Sequence, residues 1–122
     1  MQENKADMAE KSLEDYVHCP FHLAMNLLEG RWKFGILYVL RREGTMRFKE
    51  LERAVPGIST RMLTKELKHL ESHGIVRRVA YATVPPKVEY SLTEIGESTA
   101  PVIDEISRWG ERYLAETTAI PG

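Results

Sequence analysis

Leu63, Leu67 and Leu70 recur at i, i+4 and i+7, and Arg61, Lys65 and Lys68 repeat that spacing two residues earlier. On an α-helix a two-residue offset is a turn of roughly 200°, so the leucines and the bases occupy opposite sides. Residues 59–73 are therefore predicted to form a helix with one side to hide and one side to show. Ser59 suits the N-cap. Pro56-Gly57 stops whatever precedes it, and Gly74 is placed as the C-cap.

Before that stop, Phe48, Leu51 and Val55 fall at i, i+3 and i+7, a short amphipathic helix. Gly44 breaks the pattern, and Thr45 to Arg47 reads as a short extended segment. After Gly74, Ile75 to Ala82 is rich in Val, Ile and Tyr, Pro85-Pro86 marks a turn, and Val88 to Leu92 alternates apolar and polar. Two such runs around a turn read as a β-hairpin. Short helix, tight turn, helix and hairpin make a helix-turn-helix followed by a wing.

The flanks are helical too. Pro20 fits a first helical turn, and Phe21, Ala24, Met25 and Leu28 form one stripe. Arg31 to Arg42 is apolar on more than one face, which predicts burial on several sides, partly by a second subunit. Thr93 caps a final helix with a stripe of Val102, Ile103, Ile106, Trp109 and Tyr113 and a bend at Pro101. The fold class is mainly α with a small β-hairpin: a winged helix-turn-helix with extra N- and C-terminal helices. Residues 1–17 are expected to be a mobile tail, 18–116 the folded domain and 117–122 a C-terminal tail.

Charge follows this division. The net charge of −1 hides −3 over residues 1–28, +3 over 29–58, +4 over 59–88 and −5 over 89–122. A polyanion would be drawn to the middle and repelled by the ends. The longest apolar run, Phe34 to Leu40, is far short of the ~20 residues of a membrane span, and the N-terminus lacks the layout of a signal peptide. A cytoplasmic location with no membrane partner is the expectation. The single cysteine, Cys19, excludes an internal disulfide.

Duplex DNA is the polyanion this arrangement suits. Ser59, Thr60 and Arg61 stand at the helix N-terminus, the end that approaches base edges in the major groove. Arginine can bond guanine O6 and N7 together. Lys65 and Lys68 are expected to grip phosphates, with Thr64 between them. In the wing, Arg77 and Arg78 point to opposite faces, so one of them reaches the DNA, and Lys87 sits beside the Pro85-Pro86 tip. Arg47 and Lys49 would hold the flanking backbone. The alternative for each is an ordinary solvated surface, and for the whole a winged helix that meets protein or RNA.

The segments Cys19-Pro20, Gly30-Arg31-Trp32-Lys33, Arg47-Phe48-Lys49-Glu50-Leu51, Pro56-Gly57-Ile58-Ser59, Met62 to Leu70, Gly74-Ile75-Val76, Val88 to Thr93, Gly96 and Trp109-Gly110 together resemble the HxlR-type family of bacterial and archaeal regulators. The resemblance covers about residues 18–114. It implies a homodimeric winged-helix repressor or activator, paired through its terminal helices, with Phe21, Met25, Leu28, Trp32, Val102, Ile106, Trp109 and Tyr113 at the interface and a roughly palindromic operator. Some members sense oxidants or electrophiles through a cysteine just before the first-helix proline, the position of Cys19; the alternative is a small residue at a dimer interface. His18, Cys19 and His22 invite a metal reading, but no fourth ligand is apparent. No cofactor is expected. There is no Gly-rich phosphate loop and no paired nucleophile and base, so no enzyme is expected either.

Overall fold

The computed structural model describes residues 13–16 and 19–118. Leu13–Tyr16 is a single 3-10 turn. The rest of the expected tail, and His18 after it, lie outside the described residues. The elements that follow are α1 (Pro20–Leu28), α2 (Lys33–Glu43), β1 (Met46–Arg47), α3 (Phe48–Ala54), α4 (Thr60–Ser72), β2 (Val76–Tyr81), β3 (Lys87–Leu92), α5 (Glu94–Glu97) and α6 (Ala100–Thr118).

The leucine side of α4 is the centre of the core: Leu63, Leu67 and Leu70 have essentially no exposed surface. Around them lie Ile36, Leu37 and Leu40 of α2, Leu51 of α3 and Val76 of β2, all fully buried. Each such side chain contributes roughly 1.5–3 kcal/mol of burial free energy, which fixes the rotation of α4 and keeps its basic side out. Both ends of α4 are closed locally. The Ser59 Oγ accepts the Met62 N–H at 3.1 Å. Gly74 takes φ +72°, open to glycine without strain. There the Ile75 N–H reaches the Leu70 carbonyl at 2.9 Å and the Gly74 N–H the Glu71 carbonyl at 3.0 Å, a Schellman closure.

The wing is a hairpin with one addition. β1 pairs antiparallel with β3 (Met46 opposite Tyr90), making a three-stranded sheet of order β1-β3-β2. Thr93 ties the root of the wing to the end of α4. Its hydroxyl donates to the Gly74 carbonyl at 2.6 Å and accepts the Gly96 N–H at 3.1 Å, capping α5.

Three expectations are corrected. Ile36, Leu37, Val39 and Leu40 are all buried within one chain, so α2 needs no second subunit to cover them. Leu28 belongs to that same core and Trp32 packs half-buried against it, which leaves little of either for a partner. The C-terminal helix is not one bent rod. It breaks at Ser98 and Thr99, and Pro101 sits in the first turn of α6, where its missing N–H costs nothing. Thr117 and Thr118, expected in a tail, are helical. The Arg41 guanidinium grips both carboxylate oxygens of Asp104, at 2.5 and 3.2 Å, and holds α6 on α2. Beyond buried Ile103, the α6 stripe is open: Val102, Ile106, Trp109, Tyr113 and Leu114 are exposed, as is Phe21 on α1.

Candidate nucleic-acid interface

The lysines and arginines divide by whether a carboxylate holds them. Lys33 pairs with Glu66, Arg41 with Asp104, Arg42 with Glu43, Lys49 with Glu52, Lys87 with Glu89, Arg108 with Glu105 and Arg112 with Glu116. Arg31 stacks on the Trp32 ring at 4.6 Å. Among the described residues, the remaining cations have no ion-pair partner: Arg47, Arg53, Arg61, Lys65, Lys68, Arg77 and Arg78, all exposed. These seven lie within residues 47–78, from β1 to β2, whereas Arg31, also without a carboxylate, stands before α2. A paired cation is largely neutralised at a distance, whereas an unpaired one offers its whole field to an incoming anion.

The sequence-predicted residues are found as follows. Arg61, Lys65 and Lys68 project from the exposed side of α4, opposite the leucines. Ser59 is exposed at the helix start and spends its oxygen on the cap. Thr60 donates its hydroxyl proton to Glu52 Oε2 of α3. Thr64 is half-buried and donates to the Thr60 carbonyl at 2.8 Å. Arg78 lies opposite Tyr90 in the sheet. It therefore shares the face that lines a groove against α4 with Thr64, Lys68, Glu71, Phe48, Leu67, Val88 and Tyr90. Arg77 takes the other face.

Lys87 departs from the expectation of a free wing-tip base. Its ammonium is 3.7 Å from Glu89 and 4.6 Å above the Tyr81 ring. The nearby Glu89 carboxylate also holds the Tyr81 hydroxyl above its ordinary pKa. Arg47 is exposed at the start of α3, where its N–H donates to Glu50 at 2.7 Å. Lys49 reaches Glu52 at 3.5 Å.

Spacing and motif alone do not single out Glu52, Arg53, Glu66 or the state of His69. Glu66 lies three residues from Leu63, so the leucine spacing itself puts it on the buried side; there its Oε2 meets Lys33 Nζ at 2.6 Å. One turn further, the His69 Nδ1 is buried with no hydrogen-bond partner. Burial, then the charges of Lys33 and His73, hold the His69 imidazole below its ordinary pKa. A depressed histidine favours folding while neutral, and that contribution is lost as pH falls through the ordinary and then the folded value. Denaturant titration is thus expected to show stability falling on acidification below pH ~6.5, and His69→Gln is expected to blunt that fall; an equal fall in the variant would assign it elsewhere.

His22 and Cys19 sit at the start of α1, but no group of three His, Cys, Asp or Glu side chains able to hold a metal occurs among the described residues. Cys19 is a free, half-buried thiol at the N-cap of α1. Its carbonyl accepts the His22 and Leu23 N–H groups at 3.1 and 3.3 Å. Among the described residues no helix is long and apolar enough to cross a membrane.

A helix-turn-helix flanked by further helices on both sides, with a hairpin rooted at the end of its second helix, defines a winged helix-turn-helix protein. The chain belongs to the HxlR-like helix-turn-helix family, whose sequence model matches residues 27–118, and it is a transcriptional regulator of that family. An HTH-type transcriptional regulator of Methanothermobacter thermautotrophicus is 43% identical over 100 residues, 82% of this chain and 76% of that protein. Among solved structures, the redox regulator HypR in its reduced form is 40% identical with a TM-score of 0.75, covering 83% of this chain and 99% of that one. The reduced transcriptional regulator YodB from Bacillus subtilis is 38% identical with a TM-score of 0.69, covering 78% and 92%.

Proposed function

We propose that the chain acts in the cytoplasm as a homodimer that binds double-stranded DNA at a roughly palindromic operator, by binding and not by catalysis. The observation that carries this reading is the cluster of seven unpaired cations from β1 to β2, with the basic side of α4 facing outward. α4 enters the major groove from its N-terminus. Arg61 reads a base edge, Ser59, Thr60 and Thr64 offer hydroxyls, and Lys65 and Lys68 hold phosphates. Arg78, on the α4 side of the wing, and Arg47 and Lys49, at the start of α3, reach the flanking backbone. Arg77 and Lys87 face away from the groove and contribute less. The open stripe of α6 and Phe21, joined by Met25, receive the second copy. Two α4 helices ~34–36 Å apart then meet successive turns of the groove.

A mobility-shift titration over salt, using the chain's own upstream region, tests this. Binding through several phosphates falls steeply with salt; a flat response would favour a protein- or RNA-binding module. Arg61→Ala is expected to flatten the preference among operator variants by about 1–3 kcal/mol while the melting profile stays unchanged. An unaltered preference would remove Arg61 from the reading set.

Cys19 supplies a thiol response. The thiolate is the reactive form of a cysteine, and the similar HypR is a redox regulator. Cys19→Ser is expected to keep operator affinity and lose its response to diamide-type oxidants. A response of full size in that variant would end the assignment.

A further inference from the structure

We infer that Glu52 is a positioning residue that fixes what the first turn of α4 reads: it takes the Thr60 proton, so Thr60 selects an exocyclic base amine. The inference rests on the duplex-binding reading above and deepens it.

A hydroxyl carries one donor hydrogen and two acceptor lone pairs. The Thr60 hydrogen goes to Glu52 Oε2. What remains toward solvent is acceptor capacity alone. In the major groove, acceptors meet their match only at adenine N6 and cytosine N4. Phosphate oxygens, guanine O6 and N7 and thymine O4 are themselves acceptors and would face lone pair against lone pair.

The neighbouring hydroxyls sharpen the contrast. The Ser59 Oγ accepts from the Met62 N–H and keeps its hydrogen free, so Ser59 is the donor of the set and suits phosphate. Thr64, like Thr60, has given its hydrogen away, to the Thr60 carbonyl. The Glu52 carboxylate is itself fixed from two sides, by Thr60 on Oε2 and by Lys49 at 3.5 Å from Oε1. The Thr60 hydrogen bond, then the charges of Lys49 and Arg53, hold its pKa below the usual carboxylate range. It therefore stays ionised at neutral pH and can only accept. A protonated or absent partner would release the Thr60 hydrogen and with it the selectivity.

The test uses the full chain and an operator selected from randomised duplexes. Each half-site adenine is replaced in turn by purine, and each cytosine by pyrimidin-2-one, which delete the exocyclic amine. Affinity is read as a ratio to the unmodified duplex, so general changes in electrostatics cancel. In wild type and in Thr60→Ser, deleting one amine per half-site is expected to weaken binding about five- to tenfold. The same deletion is expected to have no effect in Thr60→Val and an effect below about twofold in Glu52→Ala. Full sensitivity in Glu52→Ala, or no amine that distinguishes wild type from Thr60→Val, would overturn the inference. Should Glu52→Ala fail to fold, Glu52→Leu, which keeps the aliphatic volume, is read in its place with the same two outcomes, and the absence of any amine that distinguishes wild type from Thr60→Val still overturns the inference. A chain that binds no duplex fails the function proposed above; one that binds with steep salt dependence but ignores these amines fails this inference alone.

Discussion

Replacing Lys33 by Met is expected to lower the free energy of unfolding by about 3–5 kcal/mol, the range for stripping one partner from a buried ion pair. Lys33 Nζ lies 2.6 Å from Glu66 Oε2, and the two side chains retain only 11% and 10% of their accessible surface. Lys33 Nζ also reaches the Glu29 carbonyl at 3.4 Å. Without the ammonium, the Glu66 carboxylate loses its ion-pair partner while staying on the buried side of α4. For a chain of this length the change corresponds to a loss of roughly 10 °C or more in Tm at fixed protein concentration. The double variant Lys33→Met with Glu66→Leu is expected to recover most of the loss, because an apolar pair of similar volume avoids the desolvation cost. Additive losses in that cycle would show that the two residues act independently. The pair joins α2 to the core side of α4, so the single variant is also expected to loosen the helix that carries the cations.

Gly96→Ala is the second large effect. A methyl group built on Gly96 would stand 2.2 Å from the Ile75 carbonyl oxygen, with Leu92 Cβ also close at 3.3 Å. The obstacle is backbone, which cannot rotate away as a side-chain end would. That carbonyl already accepts the Thr93 N–H at 3.1 Å. Either α5 lifts off or the entry into β2 moves, and the expected cost is about 3 kcal/mol, the upper part of the range for overpacking. The wing hangs from this junction, so amide exchange in β2 and β3 is expected to rise more than in α2. Native melting and exchange in Gly96→Ala would show the junction to be soft.

How much of the fold and the site is legible in the sequence depends on how local each signal is. The two-sided character of 59–73, the Ser59 cap and the hairpin are written in spacing and turn chemistry within a few residues, and all are found. Glu66 is half legible: its offset from Leu63 buries it, but nothing local says that Lys33, far back in the chain, reaches it. The apolar run of α2 reads as more than one chain can cover, yet Ile36, Leu37, Val39 and Leu40 are buried within a single copy and only Tyr38 of its large apolar side chains stays exposed. Pro101 reads as a bend, but proline is equally at home in a first helical turn, and the break falls just before it. The engagement of Lys87 is open to inspection, since Glu89 follows two residues later on the same strand face. The Glu52–Thr60 bond crosses the helix-turn-helix junction, which no periodicity within either helix reports.

The salt dependence of operator binding in wild type against Lys65→Gln with Lys68→Gln tests the central claim most directly. If these ammonium groups meet phosphates, the slope of log K against log salt becomes shallower by roughly 0.9 for each phosphate no longer neutralised, about 3.6 for the four groups lost from a dimer, with fold and dimer unchanged. An identical slope in the two proteins would mean that the basic side of α4 does not face the nucleic acid.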